Sequence, residues 1–463
     1  MKIEELINKV HNADCIEFMK SMPENSVDSI VCDPPYGLEF MGKEWDKLWD
    51  KRKGSENAKL SGTGNIRNAP VYQAGKEAQQ FHFKWATECL RVLKPGGYLL
   101  SFGGSRTEHR MVVAIEDAGF EIRDKICWAT GSGFPKSLNI GKKIDQLQGN
   151  ERESLGIDRT KYRKDNDNNN AYAKHCGQTG EITKGTSEWE GWGTALKPAI
   201  EYICVARKPL SEKTVASNVL KWGTGGINID ESRIPFVSEE DKKESTTKNQ
   251  HEDFGTKPMT NNNVYGDYSM MKPKNFNPPG RFPSNLILDG SDEVVSLFPN
   301  TKGSSGSFNK DDYSDNENGS TNFKRGSFVG RNDSGSASRF FYCAKSSKAE
   351  RNMGCEELEE KKSELNSGGI GRKCSVEKRL GDDNINAPKM KNCHPTVKPL
   401  ALMEYLIKLV TPPKGIVLDP FLGSGSTAVA AQRLGFNWIG CEKEKEYCLI
   451  AEARIKAVPP TLF

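Results

Sequence analysis

The chain has 463 residues, long enough to bury a full core and to hold more than one domain. Only 35% of the residues are hydrophobic, so a globular core carrying long polar insertions is expected. The net charge of +4, from 66 basic and 62 acidic side chains, does not by itself establish a nucleic-acid partner, and no apolar run approaches membrane-spanning length. The twelve cysteines form no CxxC pair, and several lie inside apolar runs (Cys32, Cys127, Cys204, Cys441), where they read as small, reduced hydrophobes. His175-Cys176 and Cys393-His394 lack a second ligand pair at metal spacing, so no metal is expected. Met1 to Leu6 does not read as a signal peptide, and a cytoplasmic location is expected.

In chain order, Val10 to Asp14 reads as a strand ending in an acid, and Val27 to Cys32 as a second strand. Phe81 to Leu93 has helical spacing and stops at Lys94-Pro95-Gly96-Gly97. Tyr98 to Phe102 is a third strand, Arg106 to Ala118 a helix closed by Gly119, and Phe120 to Trp128 a further strand. This alternation predicts a doubly wound α/β sheet. Gly141 to Thr194 is polar, with an asparagine-rich tract at Asn166 to Asn170, and reads as an insertion too poor in apolar surface to offset ordering entropy. Ala199 to Ala206 returns as a strand. About 180 residues of weak periodicity follow, broken around Gln250 to Met259, Gly303 to Gly335 and Ser363 to Asp383. Ordered islands are expected at Asn218 to Ile229, Phe282 to Leu288 and Arg339 to Ala344, in a second domain with long loops. From His394 the order returns: an apolar helix over Val397 to Val410, a strand from Gly415, a helix over Ser426 to Leu434, the strand Trp438 to Glu442, and a last helix over Glu444 to Lys456.

Two turns carry chemistry. The Val27–Cys32 strand runs into Asp33-Pro34-Pro35-Tyr36. The Gly415–Leu418 strand runs into Asp419-Pro420-Phe421-Leu422-Gly423-Ser424-Gly425-Ser426-Thr427. In open α/β sheets ligands bind just beyond the carboxyl ends of strands. An exocyclic amino group of a base is a poor nucleophile because its lone pair is delocalised into the ring. A carboxylate accepting one N–H, with a backbone carbonyl accepting the other, holds that nitrogen toward tetrahedral geometry. Asp33 supplies the first. The Pro34 carbonyl, on a turn stiffened by proline, supplies the second. Tyr36 can stack on the face of the base, worth roughly 1–3 kcal/mol. The glycine loop has no Gly-Lys-[Ser/Thr] and no third glycine, so it is neither a phosphate loop nor a dinucleotide fingerprint. Asp419 at one strand end and Glu442 at the next suit an ammonium and a pair of ribose hydroxyls. That combination fits S-adenosylmethionine better than NAD or ATP. Asp14 is a candidate contact to the cofactor's adenine, and Ser101 to Gly104 to the pocket floor. His394-Pro395-Thr396-Val397-Lys398-Pro399 would wall the cofactor pocket, with Thr396 as helix N-cap. The loop Trp128 to Ser137 is a candidate DNA contact. Methylation at cytosine C5 would need a cysteine nucleophile in Pro-Cys, and the chain contains no Pro-Cys.

On these residues the chain resembles the beta-class DNA amino-methyltransferases (N6-adenine and N4-cytosine), where Asp-Pro-Pro-Tyr comes first, a target-recognition region follows, and the cofactor loop comes last. Asp33 to Tyr36, His394 to Pro399, and Asp419 to Thr427 with Glu442 and Tyr447 carry the resemblance. Lys197 to Pro209 and Phe134 to Ser137 are similar to phage and prophage members. The resemblance implies a Rossmann-like methyltransferase fold: seven strands, mostly parallel with one antiparallel, circularly permuted, with a large irregular insertion. His394 onward would supply the first two strands and Val10 onward the rest. It implies a catalytic half over 1–233 with a polar insertion at about 141–194, a target-recognition region over 234–392, and a cofactor half over 393–463.

The implied site is catalytic Asp33, Pro34, Pro35 and Tyr36, with Asp14, His394, Thr396, Lys398, Asp419, Phe421, Gly423, Gly425, Ser426, Thr427 and Glu442 on the cofactor S-adenosyl-L-methionine. The implied partner is double-stranded DNA in a bacterial or phage-infected cell, with no membrane and no metal. Monomer and homodimer both stay open. Adenine N6 is the expected target because the motif begins with aspartate. Cytosine N4 is the alternative, followed by RNA or protein glutamine, and by an inactive DNA-binding protein on the same scaffold.

Overall fold

The computed structural model describes residues 1–37, 46, 48, 71–131, 133, 137–157, 181–247, 278–301, 335–344, 348–359, 361–362 and 389–459. The asparagine tract at Asn166 to Asn170, Phe134 to Lys136, Gln250 to Met259, nearly all of Gly303 to Gly335 and Ser363 to Asp383 lie outside the described residues. The chain divides into two compact units, one of residues 1–131 with 200–463 and one of residues 132–199.

The larger unit is built on a nine-stranded sheet. In chain order its strands are β1 (Lys9–Asn12), β2 (Val27–Cys32), β3 (Leu93–Gly103), β4 (Glu121–Ala129), β5 (Ile200–Arg207), β6 (Leu286–Leu288), β7 (Tyr342–Cys343), β8 (Ile416–Asp419) and β9 (Asn437–Glu442). Their spatial order is β1-β9-β8-β2-β3-β5-β4-β6-β7. All neighbours run parallel except β5, which is antiparallel to β3 and to β4. The C-terminal strands β8 and β9 therefore fill the places of a first and second strand, and β1 to β4 follow, as the permuted order requires. The sheet exceeds the expected seven strands by β6 and β7, short strands from the region 234–392. The described residues of that region belong to the larger unit.

Strand periodicity explains the layering. Along β2, Ile30 and Cys32 turn to one side and Val31 to the other. The first side is covered by α1 (Cys15–Lys20), α2 (Val71–Val92) and α3 (Glu108–Asp117), through Phe18, Trp85, Cys89, Met111 and Ile115. The second is covered by α4 (Leu400–Val410), α5 (Ser426–Arg433) and α6 (Lys445–Lys456), through Met403, Leu406, Val429, Ala451 and Ile455. Both faces of the central strands are thus apolar, and β2 is buried along its whole length.

Several boundaries differ from expectation. The first strand ends at Asn12, and Asp14 instead caps α1, accepting from the amides of Ile16 at 3.0 Å and Glu17 at 3.4 Å. Strand β3 begins at Leu93, directly after α2, with Gly96 at φ +80° letting the chain bulge before Ser29 pairs with Tyr98. Helix α4 begins at Leu400 with Pro399 at its cap, so Thr396 is not its N-cap. Its preceding segment is too proline-rich to wind.

The smaller unit corrects the reading of its segment as structureless filler. Helix Ile140–Gln148 is capped by Asn139, and Glu153–Ile157 pairs antiparallel with Glu181–Lys184. Its core is polar. Arg152 pairs with Asp145 and, at 2.7 Å, with Glu190, and it also donates to the carbonyl and hydroxyl of Thr183. Charged groups satisfied in this way order a segment that hydropathy alone reads as unstructured.

Candidate active site

The order of strands puts two turns side by side. From β8 the sheet grows toward β9 and β1 in one direction and toward β2 and β3 in the other, so the β8–β2 boundary is its topological switch point. Leu418 pairs with Ile30 in parallel register. Three residues beyond each lie Phe421 and Asp33, so both turns leave the same edge of adjacent strands. Asp28 fixes the register from below: its carboxylate takes the amide of Ile416 at 2.8 Å and the ammonium of Lys94 at 2.6 Å.

In the first turn Asp33 is held by both oxygens. Oδ1 accepts the Tyr36 hydroxyl at 2.7 Å, and Oδ2 accepts the Lys398 ammonium at 2.7 Å. Burial and the neighbouring Asp33 carboxylate push the Tyr36 phenol well above its ordinary pKa, which keeps it a donor. The ring lies against Gly104, where a Cβ would come within 2.9 Å of ring carbon Cδ2. Just beyond the turn the amide of Gly37 donates to Asp46 at 2.9 Å. Pro34 is buried and Pro35 half-buried.

Lys398, expected beside the cofactor, donates in this structure to the Asp33 carboxylate. Its ammonium also lies 3.2 Å from Glu201 on β5 and 4.8 Å from the centre of the Phe102 ring. Burial opposes its charge, but Asp33 and Glu201 outweigh that effect and raise its pKa.

The glycine loop is more enclosed. Asp419 accepts the Phe421 amide at 2.9 Å and the Thr427 hydroxyl at 2.6 Å. Burial nonetheless pushes its carboxyl up to about 7. Glu442, at the end of β9, accepts the Gly423 amide at 2.8 Å and the Glu444 amide at 2.8 Å. Burial raises its pKa against those donors. Gly423 (φ +53°) and Gly425 (φ +83°) hold backbone conformations that side chains resist, and a Cβ on Gly425 would sit 3.0 Å from the Cα of Ala451. The Gly423 backbone also passes under the His394 ring, which packs edge-on against Tyr447 at 4.6 Å. Burial pulls His394 down to about 4, so its ring is neutral at physiological pH. Phe421 meets Trp85 edge-on at 5.5 Å.

Two expected cofactor residues lie at the surface. Thr396 is exposed on the segment before α4. Asp14 is exposed as the cap of α1, directly after Ala13, whose amide donates to the Glu442 carbonyl at 3.1 Å. Gly425 and Ser426 open α5, and Ser426 is held from beneath by a residue the sequence reading missed. Arg454 is fully buried and donates to the Ser424 carbonyl at 2.6 Å and to the hydroxyls of Ser424 at 3.0 Å and Ser426 at 3.1 Å. Burial lowers its pKa to about 10, still cationic at neutral pH. An arginine among Ile450, Ala451 and Ile455 on the apolar face of a helix was the available signal. For Glu201 it was one acid inside an apolar strand.

The comparisons give this geometry a family. The profile of the N6/N4 methyltransferases, described as DNA methylase, matches residues 27–453. The chain belongs to this family of DNA methylases, whose methyl donor is S-adenosyl-L-methionine. The Type II methyltransferase M.HindIII of Haemophilus influenzae is 28% identical over 241 residues, covering 48% of this chain and 65% of the relative. M.HinfI of Haemophilus influenzae is 39% identical over 80 residues, covering 17% and 22%. The chain thus spans less than two thirds of either relative. Similar solved structures include the M1.HpyAVI–SAM complex (TM-score 0.33, 15% identity, 98% of this chain and 100% of that one) and the cytosine-N4-specific PvuII DNA methyltransferase (TM-score 0.40, 14% identity, 96% and 85%). Within the described residues no helix is long and apolar enough to cross a membrane.

Proposed function

We propose that the chain methylates the exocyclic amino group of a base flipped out of duplex DNA, with adenine N6 as the target. The observation that carries this reading is the pair of turns at one switch point, with the Asp33 carboxylate on β2 beside the glycine loop on β8. The donor set fits S-adenosylmethionine. Acids end both adjacent strands, two positive-φ glycines bring backbone close, and residues 419–427 contain no lysine or arginine to meet a phosphate. Glu442 would hold the ribose hydroxyls, Asp419 the ammonium, and the Gly423–Gly425 backbone, Phe421 and His394 the pocket walls. The bound cofactor supplies an electrophilic methyl group on a sulfonium.

The rest is the work of the chain. Phosphate contacts bind the duplex, and one base leaves the stack at a cost of about a few kcal/mol. Tyr36 stacks on the flipped base. Asp33 and the Pro34 carbonyl accept the two amino hydrogens and aim the nitrogen lone pair. Aspartate opening the turn favours adenine, because serine is commoner at that position in cytosine-N4 enzymes. Residues 234–392 are assigned to target recognition.

The test is incubation with tritiated-methyl S-adenosylmethionine and, separately, duplex DNA, RNA and protein, followed by nucleoside analysis. N6-methyladenine in DNA alone is the expected product. N4-methylcytosine would move the target, and label in none of the three substrates would end the reading.

A further inference from the structure

We infer that Lys398 is a positioning residue of the methyl-transfer step, clamped between Asp33 and Glu201 so that one oxygen of Asp33 stays fixed while the other is delivered to the base. The inference rests on the methyltransferase reading above and deepens it.

Among the described residues each Asp33 oxygen has one hydrogen-bond partner, and the two partners differ in kind. Tyr36 holds Oδ1, and its ring must move onto an incoming base if it is to stack there. That movement frees Oδ1 at the moment an amino hydrogen arrives. Lys398 holds Oδ2 and cannot follow. Its side chain is 9% exposed, its backbone precedes Pro399 and α4, and its ammonium is tethered a second time by Glu201 and faces the Phe102 ring. A carboxylate with one oxygen fixed by a buried cation has lost its rotation about the Cβ–Cγ bond. The free oxygen therefore points in one direction before the base enters. Glu201 completes the arrangement by holding the lysine from β5, the strand beyond β3.

This assignment differs from a cofactor-wall role for Lys398 in a measurable way. A clamp acts on turnover and leaves cofactor affinity alone, whereas a wall residue does the reverse. Steady-state kinetics on duplex DNA with tritiated-methyl cofactor, together with calorimetric titration of S-adenosylmethionine, should be run on the full chain and on Lys398→Met, Lys398→Arg and Glu201→Gln. Lys398→Met should lose about 100-fold in kcat with cofactor Kd within about threefold of the parent. Lys398→Arg, which keeps the charge, should recover at least about tenfold of that loss. Glu201→Gln should lower kcat by about three- to tenfold, again without weakening the cofactor. A Lys398→Met protein that keeps parental kcat, or that loses cofactor affinity while kcat at saturation is unchanged, overturns the clamp. Should Lys398→Met fail to fold, Lys398→Arg should keep kcat within about tenfold of the parent, and parental kcat in Glu201→Gln overturns the clamp. A parent chain that methylates no DNA defeats the functional reading instead, before any variant is compared.

Discussion

The two turns at the switch point do opposite things with similar material. The Asp33–Tyr36 turn presents side chains. Its prolines stiffen the backbone, and its carboxylate is held by Tyr36 at the end of the turn and by Lys398 from far along the chain. The Asp419–Thr427 loop hides its side chains. Its one acid, Asp419, accepts the Phe421 amide and the Thr427 hydroxyl, Glu442 on β9 accepts the Gly423 amide, a buried arginine supports the loop from below, and what it offers outward is backbone. A site that must orient a soft nucleophile needs directional side chains, whereas one that must hold a nucleoside closely needs the absence of them. If this division holds, damage to the first turn should appear in turnover and damage to the second in cofactor affinity. The largest expected effect is Asp33→Ala, which removes the acceptor for the amino group. Turnover should fall by about 10²–10³ or more, while calorimetry shows cofactor binding near parental. Retained activity would remove Asp33 from its assigned role.

Glu442→Ala is the converse. It removes a carboxylate proposed to meet the ribose and leaves the Gly423 and Glu444 amides without their acceptor. Charged hydrogen bonds of this kind contribute about 1.5–3 kcal/mol, so cofactor affinity should fall roughly 10- to 150-fold. Unchanged affinity would take Glu442 out of the ribose site. Arg454→Met tests the support beneath the loop. It leaves the buried Ser424 carbonyl without its donor, at a cost of about 1–3 kcal/mol. The expected result is a lower melting temperature together with several-fold weaker cofactor binding, because the loop and α6 loosen together.

How much of this was readable beforehand depends on how far apart the partners lie. The catalytic turn and the glycine loop are each contiguous, and strand propensity followed by proline or glycine marks them. The permuted strand order came through the resemblance, and the sheet agrees with it, adding β6 and β7. The Lys398–Asp33 pair spans 365 residues, and no local pattern encodes such a pairing. Without it Lys398 reads as part of its neighbouring motif. Asp14 shows a different limit. A strand-end acid and a helix N-cap are the same residue type in the same place, and only the amides of Ile16 and Glu17 decide between them. The polar unit was missed because hydropathy measures apolar burial, while Arg152 organises that unit through ion pairs.

The pH dependence of cofactor binding separates the two acids further. Burial holds the Asp419 carboxyl near 7 against an ordinary value of 3.8. With the folded pKa raised, the free protein keeps its proton where the unfolded chain has lost it. The contribution of Asp419 to stability is therefore present below about 3.8 and is lost as pH rises through 7. An ammonium ligand prefers the ionised form, so affinity should rise with pH up to about 7 and level off above it. Titrations from pH 5.5 to 8.5, a window chosen as about 1.5 units on either side, should show a slope approaching tenfold per unit on the acid side. The slope should vanish in Asp419→Asn. A flat profile in the parent would mean that Asp419 does not receive the ammonium.

The smallest expected effect is the most discriminating for the first turn. Tyr36→Phe removes the hydroxyl that holds Asp33 Oδ1 and keeps the ring that would stack. If the hydroxyl only parks the carboxylate until a base arrives, kcat should change by less than about threefold, because the lost bond is broken in the productive complex anyway. Tyr36→Ala removes the stacking surface as well, worth roughly 1–3 kcal/mol, and should lose about five- to 150-fold in kcat/KM. Equal losses in the two variants would assign the work to the hydroxyl and make Tyr36 a fixed ligand of Asp33. The asymmetry between a mobile Tyr36 and a fixed Lys398 would then fail, even with Asp33 still essential.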